Sequence, residues 1–178
     1  MRKLVIDRAA IKNNLTVIKD RAAGAAIYGV VTGDGQGVGA AALAQLLRDE
    51  GIGRFAVSEI AEAEALRQAG FVDEEILMLR ATTDREELER LVDLNVVCTV
   101  SSVDTGMALN ALAGNRSTVA EAHIQVDTGM GFGGFLVSEP EKLLLAYRSM
   151  PNVALSGVYT QLHAVRPNDP QAKRQLEQ

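Results

Sequence analysis

Residues 55–79 read Phe55-Ala56-Val57-Ser58-Glu59-Ile60-Ala61-Glu62-Ala63-Glu64-Ala65-Leu66-Arg67-Gln68-Ala69-Gly70-Phe71-Val72-Asp73-Glu74-Glu75-Ile76-Leu77-Met78-Leu79. Two short apolar runs, Phe55–Val57 and Ile76–Leu79, flank a helical segment. In that segment Ile60, Ala63 and Leu66 recur at helical spacing, Ser58 stands where an N-cap belongs, and Gly70 stands where a C′ glycine ends a helix. Runs that are apolar throughout, without alternation, suit strands buried on both faces by parallel pairing. The stretch is one strand–helix–strand unit.

The pattern continues in both directions. Downstream, Thr83-Asp84-Arg85-Glu86 reads as a capping box before a helix with Leu88, Leu91 and Val92. Strand Val96–Val100 leads to Ser102 and a helix ending near Gly114. Strand Ala122–Val126 leads to a glycine-rich loop, and Ser138-Glu139-Pro140-Glu141 caps the next helix. Strand Val153–Thr160 follows, and Asp169-Pro170 starts one more helix. Upstream, Leu4-Val5-Ile6 reads as a lead strand. Asp7 reads as the N-cap of a helix over Arg8–Ala22 with Ile11, Leu15 and Ile18 on one stripe. Strand Ala26–Val31 runs into a first glycine-rich loop, then a helix with Leu43, Leu46 and Leu47 that Gly51 closes. A spacing of about 20–30 residues per unit suits a parallel α/β protein, either a barrel or an open doubly wound sheet. Roughly six βα units follow the lead segment, whereas a closed barrel needs about eight. No linker interrupts 1–178, which reads as a single domain.

Composition bounds the function. The 178 residues are 47% hydrophobic and 23% charged, enough for a real core. No run approaches the roughly 18 apolar residues of a membrane span, and the N-terminus lacks an apolar export segment, so the expected location is cytoplasmic. A net charge of −5 without a basic run argues against nucleic-acid or anionic-membrane partners and leaves a small-molecule ligand. Cys98 is the one cysteine, and no His or Cys cluster has metal-ligand spacing, so no metal is expected.

In parallel α/β folds chemistry gathers at the C-terminal strand ends. The candidates there are Thr32, Asp34, Ser58, Glu59, Arg80, Ser101, Asp127, Thr128, Thr160, Gln161 and His163. The first loop carries Gly35-x-Gly37-x-x-Ala40, with Glu59 about 20 residues on, a pattern open to a dinucleotide-binding reading or to a plain tight turn. The second, Asp127-Thr128-Gly129-Met130-Gly131-Phe132-Gly133-Gly134-Phe135, is by itself a tight connection with Phe132 or Phe135 in the core. His123 lies inside a strand, where a histidine is more often packed or on the surface than a ligand, and His163 lies just past one, a better place for acid–base work, although a solvent-exposed loop histidine is the commoner occupant there.

The chain resembles the N-terminal barrel domain of alanine racemases and related fold-type III pyridoxal-phosphate enzymes. The segments that carry the likeness are Ile6–Leu15, Ala61–Gly70, Ile76–Leu79, Gly157–Thr160 and above all Val126-Asp127-Thr128-Gly129-Met130-Gly131. The resemblance implies a TIM-type parallel βα barrel, incomplete here, with the family's second domain absent. It also implies where the family chemistry departs. The Schiff-base lysine position holds Thr32, and the tyrosine that helps hold the cofactor phosphate is Gln36. The lysine before Val-Asp-Thr-Gly, often carbamylated in the family, is Gln125. The arginine after Met-Gly is Phe132, and the histidine against the pyridine ring is Gln161. Leu79 keeps a cofactor-contact position, and Asp34, Asp127, Thr128 and His163 would line the pocket. Pyridoxal phosphate is thus implied by resemblance, without a covalent aldimine, since threonine forms no imine. The expectation is an impaired, remnant or remodelled small-molecule-binding barrel. The alternatives are a racemase active only when another chain completes it, self-association through open strand edges, or a dinucleotide module on Gly35, Gly37, Ala40 and Glu59.

Overall fold

The computed structural model describes residues 4–163, 166 and 169–178. They fall into two compact units, Met1–Arg80 with Leu94–Val96, and Ala81–Asp93 with Val97–Gln178.

The first unit begins with α1 (Arg8–Ala22), which starts where the Asp7 carboxylate accepts the amides of Ala9 and Ala10 at 2.8 and 3.1 Å. The expected lead strand is absent: Leu4–Ile6 carry no strand, and Val5 is 84% exposed. Three apolar residues supply β propensity, but no neighbouring strand takes up their ladder bonds. Of the α1 stripe only Leu15 is buried. Next come β1 (Tyr28–Val30), the five-residue turn α2 (Thr32–Gln36), α3 (Ala40–Asp49), β2 (Arg54–Val57), α4 (Ile60–Gln68) and β3 (Glu75–Met78). β1 is shorter than the apolar run because only Tyr28, Gly29 and Val30 find partners, in Arg54, Phe55 and Ala56. The sheet is parallel in the order β1-β2-β3. Phe55 and Val57 share a face with Ile76 and Met78, while Ala56 and Leu77 share the other, and all six are buried. The all-apolar strands thus meet neighbours on both faces. Phe55 meets Phe71 edge-on at 5.3 Å, and the Arg48 guanidinium covers the Phe71 ring at 4.1 Å.

The second unit holds α5 (Arg85–Asp93), β4 (Cys98–Val100), α6 (Val103–Asn115), β5 (Ala120–Asp127), β6 (Phe135–Leu136), α7 (Pro140–Arg148), β7 (Val153–Tyr159) and α8 (Pro170–Leu176). β5 is central, pairing in parallel with β4, β6 and β7. Its register with β7 shifts between Ala122 and His123. Ser102 caps α6 and Asp169 caps α8 as expected, but two caps differ. At α5 the Asp84 carboxylate, not Thr83, accepts the Glu87 amide, and at α4 the N-cap is Glu59, not Ser58. In both places a neighbouring carboxylate reaches the free amides that the hydroxyl does not. Among the described residues no helix is long and apolar enough to cross a membrane.

Candidate functional site

The C-terminal ends of the first sheet form a row. The register that pairs Val30, Ala56 and Leu77 brings Thr32, Ser58 and Leu79 side by side two residues on, with Gly33, Glu59 and Arg80 just beyond. Strand spacing puts Thr32 about 10 Å from Leu79 across Ser58. Thr32 and Leu79 are half-buried. After Thr32 the backbone turns left-handed for four residues: Gly33, Asp34, Gly35 and Gln36 have φ of 63°, 51°, 61° and 56°. Such a run costs roughly 1–2 kcal/mol for each residue bearing a Cβ, so two glycines lower its cost and fixed bonds must offset the rest.

Those bonds come from two carboxylates. The Asp34 side chain accepts the Ala40 amide at 2.9 Å, tying the turn to the start of α3. Glu62 is buried, and its Oε1 accepts the Asp34 amide at 2.9 Å while Oε2 accepts the amides of Ser58 and Glu59 at 2.9 and 3.0 Å. One side chain on α4 therefore fixes the strand ends of both β1 and β2. The sequence reading passed over Glu62, although its place three residues after Glu59, as N3 of α4, is a capping-box signal. Glu59 itself faces Arg80 at 3.6 Å, and the Arg80 guanidinium also donates to Ser58 O at 3.3 Å. Gln36 is exposed on the turn.

In the second unit, residues paired across β4, β5 and β7 sort by face. Cys98, Val100, Ala122 and Ile124 share the apolar one. Thr99, His123, Gln125 and Tyr159 share the other, with Gly157 opposite His123. The Thr99 and Tyr159 hydroxyls are 3.0 Å apart, and burial holds the Tyr159 phenol above its ordinary range against the opposing pull of that bond. Gln125 is buried and donates to the Phe132 carbonyl at 3.4 Å. Burial alone pushes the Cys98 thiol up to about 12, so it stays protonated and inert.

The Asp-Thr-Gly-Met-Gly loop is held by its own first residue. Asp127 Oδ1 accepts the amides of Gly129 and Gly131 at 2.8 and 3.1 Å, and those donors hold its carboxyl below the usual range. Phe132 is 69% exposed at the loop tip, whereas Phe135 is buried, so the second of the two expected core aromatics is the one that packs. The Thr128 and Thr160 hydroxyls meet at 2.8 Å. Gln175 of α8, also missed from sequence, is buried and donates to Thr128 Oγ1 at 3.1 Å and to the Gln161 carbonyl at 3.0 Å. Its own carbonyl accepts the His163 amide at 2.7 Å. No local pattern marks a glutamine in a seven-residue helix as such a clasp. The structure thus gathers Thr32, Asp34, Gln36, Glu59 and Leu79 at the strand ends of the first unit, and Gln125, Asp127, Thr128, Gln161 and His163 at those of the second.

Parallel strands joined by helices, with polar residues collected at the C-terminal strand ends, define an α/β protein of the parallel barrel class. The family profile described as alanine racemase, N-terminal domain, matches residues 6–178. The chain belongs to that family. It is 32% identical over 166 residues to the alanine racemase of Clostridium tetani, covering 92% of this chain and 42% of that protein. The solved alanine racemase of E. faecalis superposes with a TM-score of 0.82 at 30% identity, covering 97% of this chain and 47% of the other. The fold is shared with the histidine racemase of Leuconostoc mesenteroides subsp. sake at 22% identity and a TM-score of 0.86. The fold class is therefore the βα barrel kind of the alanine racemase N-terminal domain, and the chain spans less than half the length of these relatives.

The family implies pyridoxal phosphate as cofactor. Covalent attachment needs a lysine amine beside a strand end. Thr32 offers a hydroxyl there. Lys12 and Lys19 lie on α1, where Lys19 donates to the Glu50 carbonyl; Lys142 on α7 pairs with Glu139 at 2.8 Å; and Lys173 lies on α8. Lys3 falls outside the described residues. No described lysine stands on or directly after a strand, so the donor set does not fit a covalently held aldehyde cofactor.

Proposed function

We propose that this chain is an alanine-racemase-like barrel domain that binds a small molecule at its strand ends without forming a covalent bond to pyridoxal phosphate. The observation that carries the reading is Thr32 at the end of β1, on a backbone still held in place by Glu62 and Asp34. The positions that in the family hold a tyrosine, a lysine and a histidine around the cofactor are here Gln36, Gln125 and Gln161, and Phe132 stands at the arginine position. Racemisation needs an imine-forming amine and a base on each face of the reacting carbon, and Thr32 supplies neither. The reading is therefore of a catalytically silent, remodelled pocket.

The test is direct. Pyridoxal phosphate mixed with the protein is expected to leave the free-aldehyde absorbance unchanged, and borohydride is expected to fix no stoichiometric adduct. Thr32→Lys is expected to restore a modest imine absorbance with little turnover. A borohydride-fixed adduct of one per chain in the unsubstituted protein, mapped by peptide mass to a single lysine, would overturn the reading.

A second reading, a racemase completed by another chain, is favoured by one observation. Among the described residues β1 pairs with β2 alone and β7 with β5 alone, so each sheet has an edge to which a strand can add.

A further inference from the structure

The polar face of the second unit's sheet carries two successive rungs. Register sets Thr99, His123 and Gly157 side by side on the first, and Gln125 beside Tyr159 on the next. A face that served only to pack would carry apolar side chains, and a polar group buried there calls for a partner. The first rung and Tyr159 meet that demand among themselves. The Thr99 and Tyr159 hydroxyls stand 3.0 Å apart, and the His123 imidazole covers Gly157, where a Cβ would fall 2.7 Å from Cε1 and Nε2. Gln125 does not. Its side chain lies in a residue only 7% exposed, and Nε2 gives one hydrogen to the Phe132 carbonyl at 3.4 Å. A primary amide has a second hydrogen and a carbonyl oxygen to place, and among the described residues neither has a partner. The loop leaves that oxygen uncovered: residue 133 is glycine, and a Cβ there would already touch Oε1 at 3.8 Å.

Fastening the loop takes one donor, so the loop explains half of the Gln125 amide and leaves the other half facing outward. The surroundings say what would meet it. Neither rung holds a carboxylate, a lysine or an arginine, so a charged ligand would find no counterion there once water is excluded. Asp127, two residues further along β5, spends its carboxylate on the amides of Gly129 and Gly131 and repels an anion. A hydroxyl would satisfy one of the two open sites on Gln125. A primary carboxamide satisfies both, giving an N–H to Oε1 and a carbonyl to Nε2. We infer that Gln125 is a binding residue whose open amide edge recognises an uncharged carboxamide. The inference rests on the reading that the strand ends hold a small molecule, and it names the chemistry of that molecule.

The probe is propionamide, titrated into the isotopically labelled protein and followed by the Gln125 side-chain NH2 resonances and the Phe132 and Gly133 backbone amides. Saturable shifts centred on these groups are expected. N,N-dimethylpropionamide keeps the carbonyl and has no N–H, and it is expected to bind roughly fivefold more weakly, the scale of one neutral hydrogen bond. Sodium propionate, of the same size and negatively charged, is expected to bind more weakly than the amide. Gln125→Met, of similar length and without the amide, is expected to weaken propionamide by roughly tenfold or more, two such bonds, with unchanged amide dispersion elsewhere as the sign of an intact fold. Should that variant fail to fold, the comparison of the three probes on the unsubstituted chain decides alone. Shifts that do not saturate, equal affinity for the dimethylated amide, or a preference for propionate would overturn the assignment. Borohydride trapping reads Thr32 and the amide titration reads Gln125, so the covalent test and this one fail separately.

Discussion

At the scale of single residues, the strand ends depend on side chains that accept from backbone. Glu62 takes three amides on two carboxylate oxygens, and a glutamine in its place turns an NH2 toward one set of donors. Glu62→Gln is expected to cost about 1–3 kcal/mol, the penalty of a buried donor left without a partner. A lower urea midpoint at unchanged slope would register that loss. Cys98 sets a pH limit from the other side. Its thiol is raised to about 12 in the folded chain from an ordinary value of 9.0, so the folded state binds more protons than the unfolded state between those values. Burial of Cys98 thus contributes full stability below pH 9 and loses it progressively as pH rises toward 12. Native protein at pH 8 is expected to resist iodoacetamide, and urea-unfolded protein to react readily. Rapid alkylation of the native chain would contradict the burial of this side chain.

At the scale of elements, β6 is the most exacting. It pairs with β5 over only Val126–Phe135 and Asp127–Leu136. Gly134 precedes it at a φ of 111°, and a Cβ there would stand 2.8 Å from Gln125 O and 2.9 Å from the Asp127 amide. Backbone atoms cannot step aside as a flexible side chain does. Gly134→Ala is expected to cost more than about 1 kcal/mol, from strain and a lost strand pair together, and to expose Phe135, read as a lower melting temperature with brighter, blue-shifted emission of a hydrophobic dye. What was legible in the sequence divides along the same line. Asp7, Ser102, Asp169, Gly51 and Gly70 announce helix ends because a cap acts over three or four neighbouring residues. The Asp-Thr-Gly-Met-Gly loop was legible as a motif, and Thr32 as a departure from one. The two-residue β6, the absent strand at Leu4–Ile6, the reach of Glu62 to the Asp34 amide and the clasp made by Gln175 were not. Each depends on a partner 9 to 47 positions away or on a strand that is not there, as in the pairing of β6 with β5 and the Gln175 bonds to Gln161 and Thr128.

At the scale of the whole molecule, the open edges matter most. Val30 at the end of β1 is 46% exposed and Val158 on β7 is 68% exposed, although both stand on parallel strands, which natural sheets seldom leave uncovered. A row of unsatisfied strand amides beside exposed valine invites another strand. The chain is expected to self-associate at micromolar concentration, or to gain a stable complex when a completing chain is supplied, with light scattering as the measurement. A compact monomer that persists across the concentration range would remove both.

The left-handed turn after Thr32 has a further consequence, for the chemical ageing of the chain. Asp34-Gly35 is, among aspartyl pairs, the kind most prone to cyclise to a succinimide and reopen as isoaspartate, because glycine places no side chain in the way of its amide nitrogen as it attacks the carboxyl carbon. Here that nitrogen donates to the Val31 carbonyl at 2.9 Å, and the Asp34 carboxylate is turned away to hold the Ala40 amide. The conformation that sets the strand end therefore also keeps the two reacting atoms occupied elsewhere, and the same dipeptide released by unfolding or digestion loses that protection. Accumulated isoaspartate at Asp34 would then serve as a record of how long a sample has spent unfolded.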